Sequence, residues 1–88
     1  MNVPVNSDHR RTLERLFAHA GANIEWRQVR SLLEALGAVS EEHNGKLEVT
    51  LGGETEILQQ PRGKDVDPQM IVDLRRMLRR AGLAPAGS

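Results

Sequence analysis

Two rhythms of apolar and polar positions alternate along this chain. Over residues 8–20 Leu13, Leu16, Phe17 and Ala20 recur at the three- and four-residue spacing that lines up on one side of a helix. Ser7 is placed to cap that helix, Asp8 to sit at its positive end, and Gly21 to stop it. Residues 26–36 repeat the pattern through Val29, Leu32, Leu33 and Leu36, with Trp26 at the start. Gly37 is expected in the left-handed position after this helix, with Leu33 meeting Ala38 in a Schellman contact. A third helix is predicted from Asp67 as cap and Pro68 in the first turn to Ala81. Its core stripe is Ile71, Leu74, Leu78 and Ala81, and Gly82 ends it with Leu78 against Leu83.

Between the second and third helices the rhythm changes to alternation. Strands are predicted near 38–43, 46–51 and 54–59. In the middle one Leu47, Val49 and Leu51 face one way and Lys46, Glu48 and Thr50 the other. Asn44-Gly45 and Gly52-Gly53 are tight-hairpin signals, because both central residues of such a turn need positive φ. The outer sheet face is expected to hold Glu41 or Glu42, Glu48, and Glu54 or Glu56, and so to be acidic. Residues 59–66 read as a loop with Pro61 and Gly63.

The predicted order is therefore α-α-β-β-β-α. This is an α/β (α+β) chain with a three-stranded antiparallel sheet packed by helices on one face, the arrangement of the double-stranded-RNA-binding type. The whole of residues 1–88 is expected to form a single domain, with 7–21 an extra N-terminal helix on a core at 26–83. A domain of this size buries roughly 60–65% of its unfolded surface, so its core is limited.

Composition narrows the chemistry. With no cysteine, disulfides, zinc–thiolate sites and thiol catalysis are excluded. Twelve basic and twelve acidic residues balance, so any attraction for nucleic acid must come from local clusters. One Trp, one Phe and no Tyr leave little for a base-stacking platform. No apolar run reaches the ~18 residues of a membrane span, and the N-terminus lacks the pattern of a secretory signal. A soluble, cytoplasmic protein that needs no cofactor or metal is the expectation; the three histidines lack closely spaced carboxylate partners.

The candidate basic residues are Lys46 at the first hairpin, Arg62 and Lys64 in the loop before the third helix, and Arg75, Arg76 and Arg79 on that helix. Together with Arg80, the helix arginines are expected on the face opposite the core stripe, where they would meet phosphates or simply be solvated. In double-stranded-RNA-binding modules the loop and start of that helix address backbone phosphates. His43, beside the first turn, is a candidate general base, since imidazole combines a near-neutral pKa with reach to a 2′-hydroxyl. Glu41-Glu42, Glu54 and Glu56 read as solubilising strand carboxylates, and the edge of the sheet offers a place for a partner strand.

Residues 26–83 resemble the HicA family of bacterial toxins. The likeness rests on Leu32-Leu33-Glu34-Ala35-Leu36-Gly37, on Leu78-Arg79-Arg80-Ala81-Gly82-Leu83 and on Pro61 after the third strand. The resemblance implies a small, metal-independent ribonuclease acting on messenger RNA and silenced by a HicB-type antitoxin. It also implies a catalytic histidine in a Gly-Ser-His motif at the start of the second strand. The matching positions here are Gly45-Lys46-Leu47, so the glycine is kept and the histidine is not, and His43 is the imidazole nearby. The alternative is a non-catalytic module on the same fold that binds a protein or a nucleic acid.

Overall fold

Leu47, Val49 and Leu51 are all but absent from the surface, and the rest of the fold is arranged to cover them. The computed structural model describes residues 6–18 and 24–85. Its elements are α1 (Ser7–Phe17), α2 (Trp26–Leu36), β1 (Ala38–Glu41), β2 (Lys46–Leu51), β3 (Glu54–Gln59) and α3 (Pro68–Arg80). The sheet is antiparallel in the order β1-β2-β3, so β2 is central and both its neighbours are edges. The expected α-α-β-β-β-α order is the one found.

The inner face of β2 meets Leu32, Leu33 and Val29 from α2 and Leu74, Met77 and Leu78 from α3 in one core. α1 packs on both helices and contributes Leu13 and Leu16. Burial of each such side chain is worth about 1.5–3 kcal/mol, which is why these positions and not local propensity set the fold. Met70 and Met77 join the α3 core stripe, while Ile71 and Ala81 sit at its margin, half-buried.

The helix ends are satisfied in several ways. α1 is capped by Asn6, whose Oδ1 accepts from the His9 N–H at 2.8 Å, so Ser7 is the first helical residue and not the cap. The helix stops at Phe17, with Ala18 extended; Ala20 and Gly21, expected at its end, lie outside the described residues. Asp67 caps α3 by accepting from the Met70 N–H at 2.8 Å, with Pro68 following. α3 ends in a Schellman motif: Gly82 has φ 73°, the Leu83 N–H reaches the Leu78 carbonyl at 2.8 Å, and the Gly82 N–H reaches that of Arg79 at 3.0 Å.

Gly37 corrects an expectation. Its φ of −160° is extended, not left-handed, and Ala38 goes directly into β1 as an exposed residue, so no Schellman contact forms. Glycine is needed here for space: a Cβ would collide with the Thr50 carbonyl oxygen and stand 2.9 Å from the Leu51 side chain.

The two hairpins differ. Gly52 and Gly53 have φ 59° and 86° and form a two-residue loop closed by the Leu51–Glu54 pair, as expected. At the other end only Gly45 is positive, at φ 85°; no non-glycine residue among those described has positive φ, Asn44 included. The Gly45 N–H bonds to the Glu42 carbonyl at 3.1 Å and the Glu42 N–H to the Lys46 carbonyl at 2.8 Å. This is a three-residue loop ending in a glycine bulge, which is why β1 stops at Glu41 and not at His43.

The expected acidic sheet face is also corrected. β2–β3 register places Glu56 opposite Val49 and Glu54 opposite Leu51, on the helix-covered side, and β1–β2 register puts Glu41 opposite Leu47 on that side too. The open face carries Ala38, Ser40, Lys46, Glu48, Thr50, Thr55, Ile57 and Gln59, of which Lys46 and Glu48 alone are charged. Thr50 and Thr55 hydroxyls bond across it at 2.8 Å.

Candidate nucleic-acid interface

Two side chains fasten one end of the molecule together. The Trp26 indole Nε1–H donates to Gln60 Oε1 at 3.2 Å, and the same amide's Nε2 donates to the Gly45 carbonyl at 2.8 Å. The start of α2, the β1–β2 turn and the segment after β3 thus share one hydrogen-bonded bridge. The backbone doubles it. The Trp26 N–H donates to the Lys64 carbonyl at 2.7 Å and the Val66 N–H to the Ile24 carbonyl at 3.0 Å, giving an isolated bridge between Glu25 and Asp65.

Lys46, Arg62 and Lys64 surround this bridge. Lys46 pairs in register with Gln59, the residue before Gln60, and its N–H is held by Asn44 Oδ1 at 3.1 Å. Arg62 and Lys64 follow in the pinned loop. All three are exposed, and among the described residues none makes an ion pair. Arg27 stands beside Lys64 along a shared cleft with Trp26, its guanidinium 3.0 Å from Glu25. His43 is exposed on the turn.

The arginines of α3 lie elsewhere and are occupied. Arg75 is half-buried, not on an outward face: its Nε–H donates to the Leu16 carbonyl and its Nη2 to that of Ala18 at 2.7 Å. Arg79 lies over the Phe17 ring, 5.1 Å from its centroid. Arg76 pairs with Glu56 at 3.3 Å and Arg80 with Glu54 at 3.4 Å. The set thus forms two rows on the flanks of the helix, one tying α3 to α1 and the other tying it to β3. These rows sit toward the Gly52 end of the sheet, where Ala81 touches Gly52, away from the turn that carries Lys46. The strand carboxylates are accounted for in the same way, with Glu41 bonded to Arg30 at 3.1 Å.

Leu47, at the position that the HicA resemblance gives to the catalytic histidine, is completely buried. A side chain there points into the core between the sheet and the helices, so an imidazole at 47 would meet leucines and not a 2′-hydroxyl.

A further basic group escapes the sequence reading. Arg11, Arg15 and Arg27 line a cleft of about 420 Å³ between α1 and α2, together with His9, Gln28 and Ser31. His9 Nε2 and Ser31 Oγ are 2.8 Å apart across it. The i,i+4 spacing of Arg11 and Arg15 was visible, but only the packing of α1 on α2 brings Arg27 to them. Among the described residues no three His, Cys, Asp or Glu side chains gather so as to hold a metal ion, and no helix is long and apolar enough to cross a membrane.

Set against protein-family models, curated proteins and solved structures, the chain matches none.

Proposed function

We propose that the protein is a HicA-like RNA-binding module that holds the sugar–phosphate backbone at the pinned end of its sheet without cutting it. The observation that carries this reading is the set of unpaired cations Lys46, Arg62 and Lys64 around the Trp26–Gln60–Gly45 bridge. A rigid mount lets flexible cations meet phosphates at a fixed spacing, and RNA duplexes are recognised mostly through their shape and backbone. Arg27, Arg11 and Arg15 extend the same positive track across α2 and α1. A neutral outer sheet face, with Lys46 offset by Glu48, puts no acidic barrier on the strand side, while Asp65 and Asp67 follow Lys64 in the loop. Burial of Leu47 favours binding over cleavage, and His43 is left as the imidazole on which any cutting would depend. In this reading the protein partner is a HicB-type antitoxin.

Fluorescence anisotropy with a labelled RNA duplex of about 16 base pairs, titrated at several salt concentrations, tests it. Affinity should fall steeply with salt, and Lys46→Ala, Arg62→Ala and Lys64→Ala should each flatten the slope by about one phosphate contact. Arg76→Ala should leave it unchanged. An unaltered slope in the triple variant of Lys46, Arg62 and Lys64 removes the reading. RNA cutting without metal that disappears in His43→Ala would turn the module into a nuclease.

A further inference from the structure

β3 is an edge strand of six residues, and its far side is unpaired. The two-residue loop at Gly52-Gly53 makes Leu51–Glu54 a hydrogen-bonded pair, and such pairs then alternate along the ladder. Glu54, Glu56 and Leu58 therefore bond back to β2, and the N–H and C=O groups of Thr55, Ile57 and Gln59 point outward. Among the described residues none of these groups finds a backbone partner. Natural edge strands are commonly guarded by proline, lysine, a bulge or a covering element. β3 has none of the first three within its span; its inward-pointing charges Glu54 and Glu56, another such guard, are paired with Arg80 and Arg76, and Ile57 stands on it 51% exposed.

Beside this edge runs a groove of about 720 Å³, a volume in the range of peptide- and ligand-sized sites. One wall is the end of β3, with Ile57, Leu58 and Gln59; the other is the first turns of α3, with Met70 and Asp73. The floor is apolar where Leu58, Met70 and Pro61 meet. The rim is acidic: Asp65, Asp67 and Asp73 line the groove with the one cation Arg62, although Asp67 also caps α3 and Asp73 also lies 3.9 Å from Arg76.

We propose that this groove takes an extended, basic peptide segment of a protein partner, which adds to β3 as a fourth antiparallel or parallel strand. The open backbone groups of Thr55, Ile57 and Gln59 supply the ladder, Leu58 and Met70 receive one apolar side chain of the segment, and Asp65 and Asp73 select lysine or arginine at alternate positions. The groove meets the nucleic-acid track at Arg62, but its three carboxylates give it the opposite charge to Lys46 and Lys64, and the proposal stands whether or not RNA binds. Strand addition of this kind draws affinity from main-chain hydrogen bonds and specificity from alternate side chains.

The test is a nuclear magnetic resonance titration of the full chain with an eight-residue peptide of alternating valine and lysine, beside a valine–glutamate peptide of the same length. In the free protein the Thr55, Ile57 and Gln59 amides should exchange quickly with solvent. The valine–lysine peptide should shift and protect those amides and leave Val39 and Glu41, whose amides face outward on the opposite edge strand, unaffected. Asp65→Asn and Asp73→Asn should each weaken binding about two- to fivefold, the worth of one exposed charge pair. Ile57→Lys should abolish binding by placing a like charge on the edge and leave the thermal midpoint intact, and Asp73→Asn should leave the salt slope of RNA binding intact, which separates this surface from the one at Lys46. Equal binding of the glutamate peptide, or protection on β1, overturns the proposal. So does protection of the β3 amides by RNA, or by a second copy of the chain when no peptide is present.

Discussion

Replacing Arg75 by alanine tests how α1 is held. The guanidinium bonds to the carbonyls of Leu16 and Ala18, where α1 has run out of intrahelical donors. It also brings a positive charge to the negative end of that helix. One of the two bonds is part-buried and charge-assisted, a class worth about 1.5–3 kcal/mol; the other is exposed and adds little. Together with the end-charge effect, Arg75→Ala should cost about 2–3 kcal/mol. Arg76, one residue on, makes only solvent-exposed pairs with Glu56 and Asp73, so Arg76→Ala should cost about 0.2–1 kcal/mol. In a domain of this size each kcal/mol moves the thermal midpoint by about 4–8 °C, so Arg75→Ala should melt roughly 8–24 °C below the parent. Circular dichroism melts of the two variants make the comparison, and amide exchange locates it: Leu13 and Leu16 should lose protection before Leu47 and Val49 do. Melting of Arg75→Ala within about 2 °C of Arg76→Ala would show that Arg75 is a solvated arginine and that α1 is held by its leucines alone.

The remaining expectations concern three other positions. Gly37→Ala should lower the urea midpoint by an amount equivalent to about 1–3 kcal/mol, since the new methyl must push α2 away from the Thr50 carbonyl; a neutral result would mean that the two backbones stand farther apart. Leu47→His, which puts a histidine where the HicA resemblance would have one, should cost about 3–5 kcal/mol and yield no ribonuclease, because the imidazole is buried; a stable variant that cuts RNA would refute the inward orientation. Gln60→Ala should strip the Trp26 indole of its acceptor and the Gly45 carbonyl of its donor, with a loss of about 1–3 kcal/mol and a red shift of tryptophan emission as water takes over; an unshifted spectrum would count against the bridge.

The element order and most of the core were legible because they rest on periodicity, which is local. Leu47, Val49 and Leu51 alternate in plain view, and the caps at Asp67 and Gly82 act within a few residues of themselves. What escaped depends on register or on contacts distant in sequence. Glu54 and Glu56 looked outward because carboxylates are ordinarily solvated; the Gly52-Gly53 loop already implied their pairing with Leu51 and Val49 on the inner face, but not the α3 arginines that receive them there. Arg75 looked solvated because its partners lie 59 and 57 positions away. Gly37 carried a true signal with the wrong cause, since a glycine after a helix has two uses and only the neighbouring strand distinguishes them. Lys46, Arg62 and Lys64 were recognisable as basic residues, but their common mount through Trp26 and Gln60 was not, because an amide that donates to one segment and accepts from another leaves no pattern in sequence.

The contact between Gly52 and Ala81 has a kinetic consequence. It seats the tightest turn of the sheet against the end of α3, so that β2, β3 and α3 close on one another within a single unbroken stretch of chain. Short loops cost the least entropy to close, and such a stretch can assemble before more distant parts arrive. α1 can settle on α2 close by in sequence, but its link to Arg75 spans most of the molecule. A ribosome would therefore release the N-terminal helix first and see its last fastening made only after α3 has emerged to receive it.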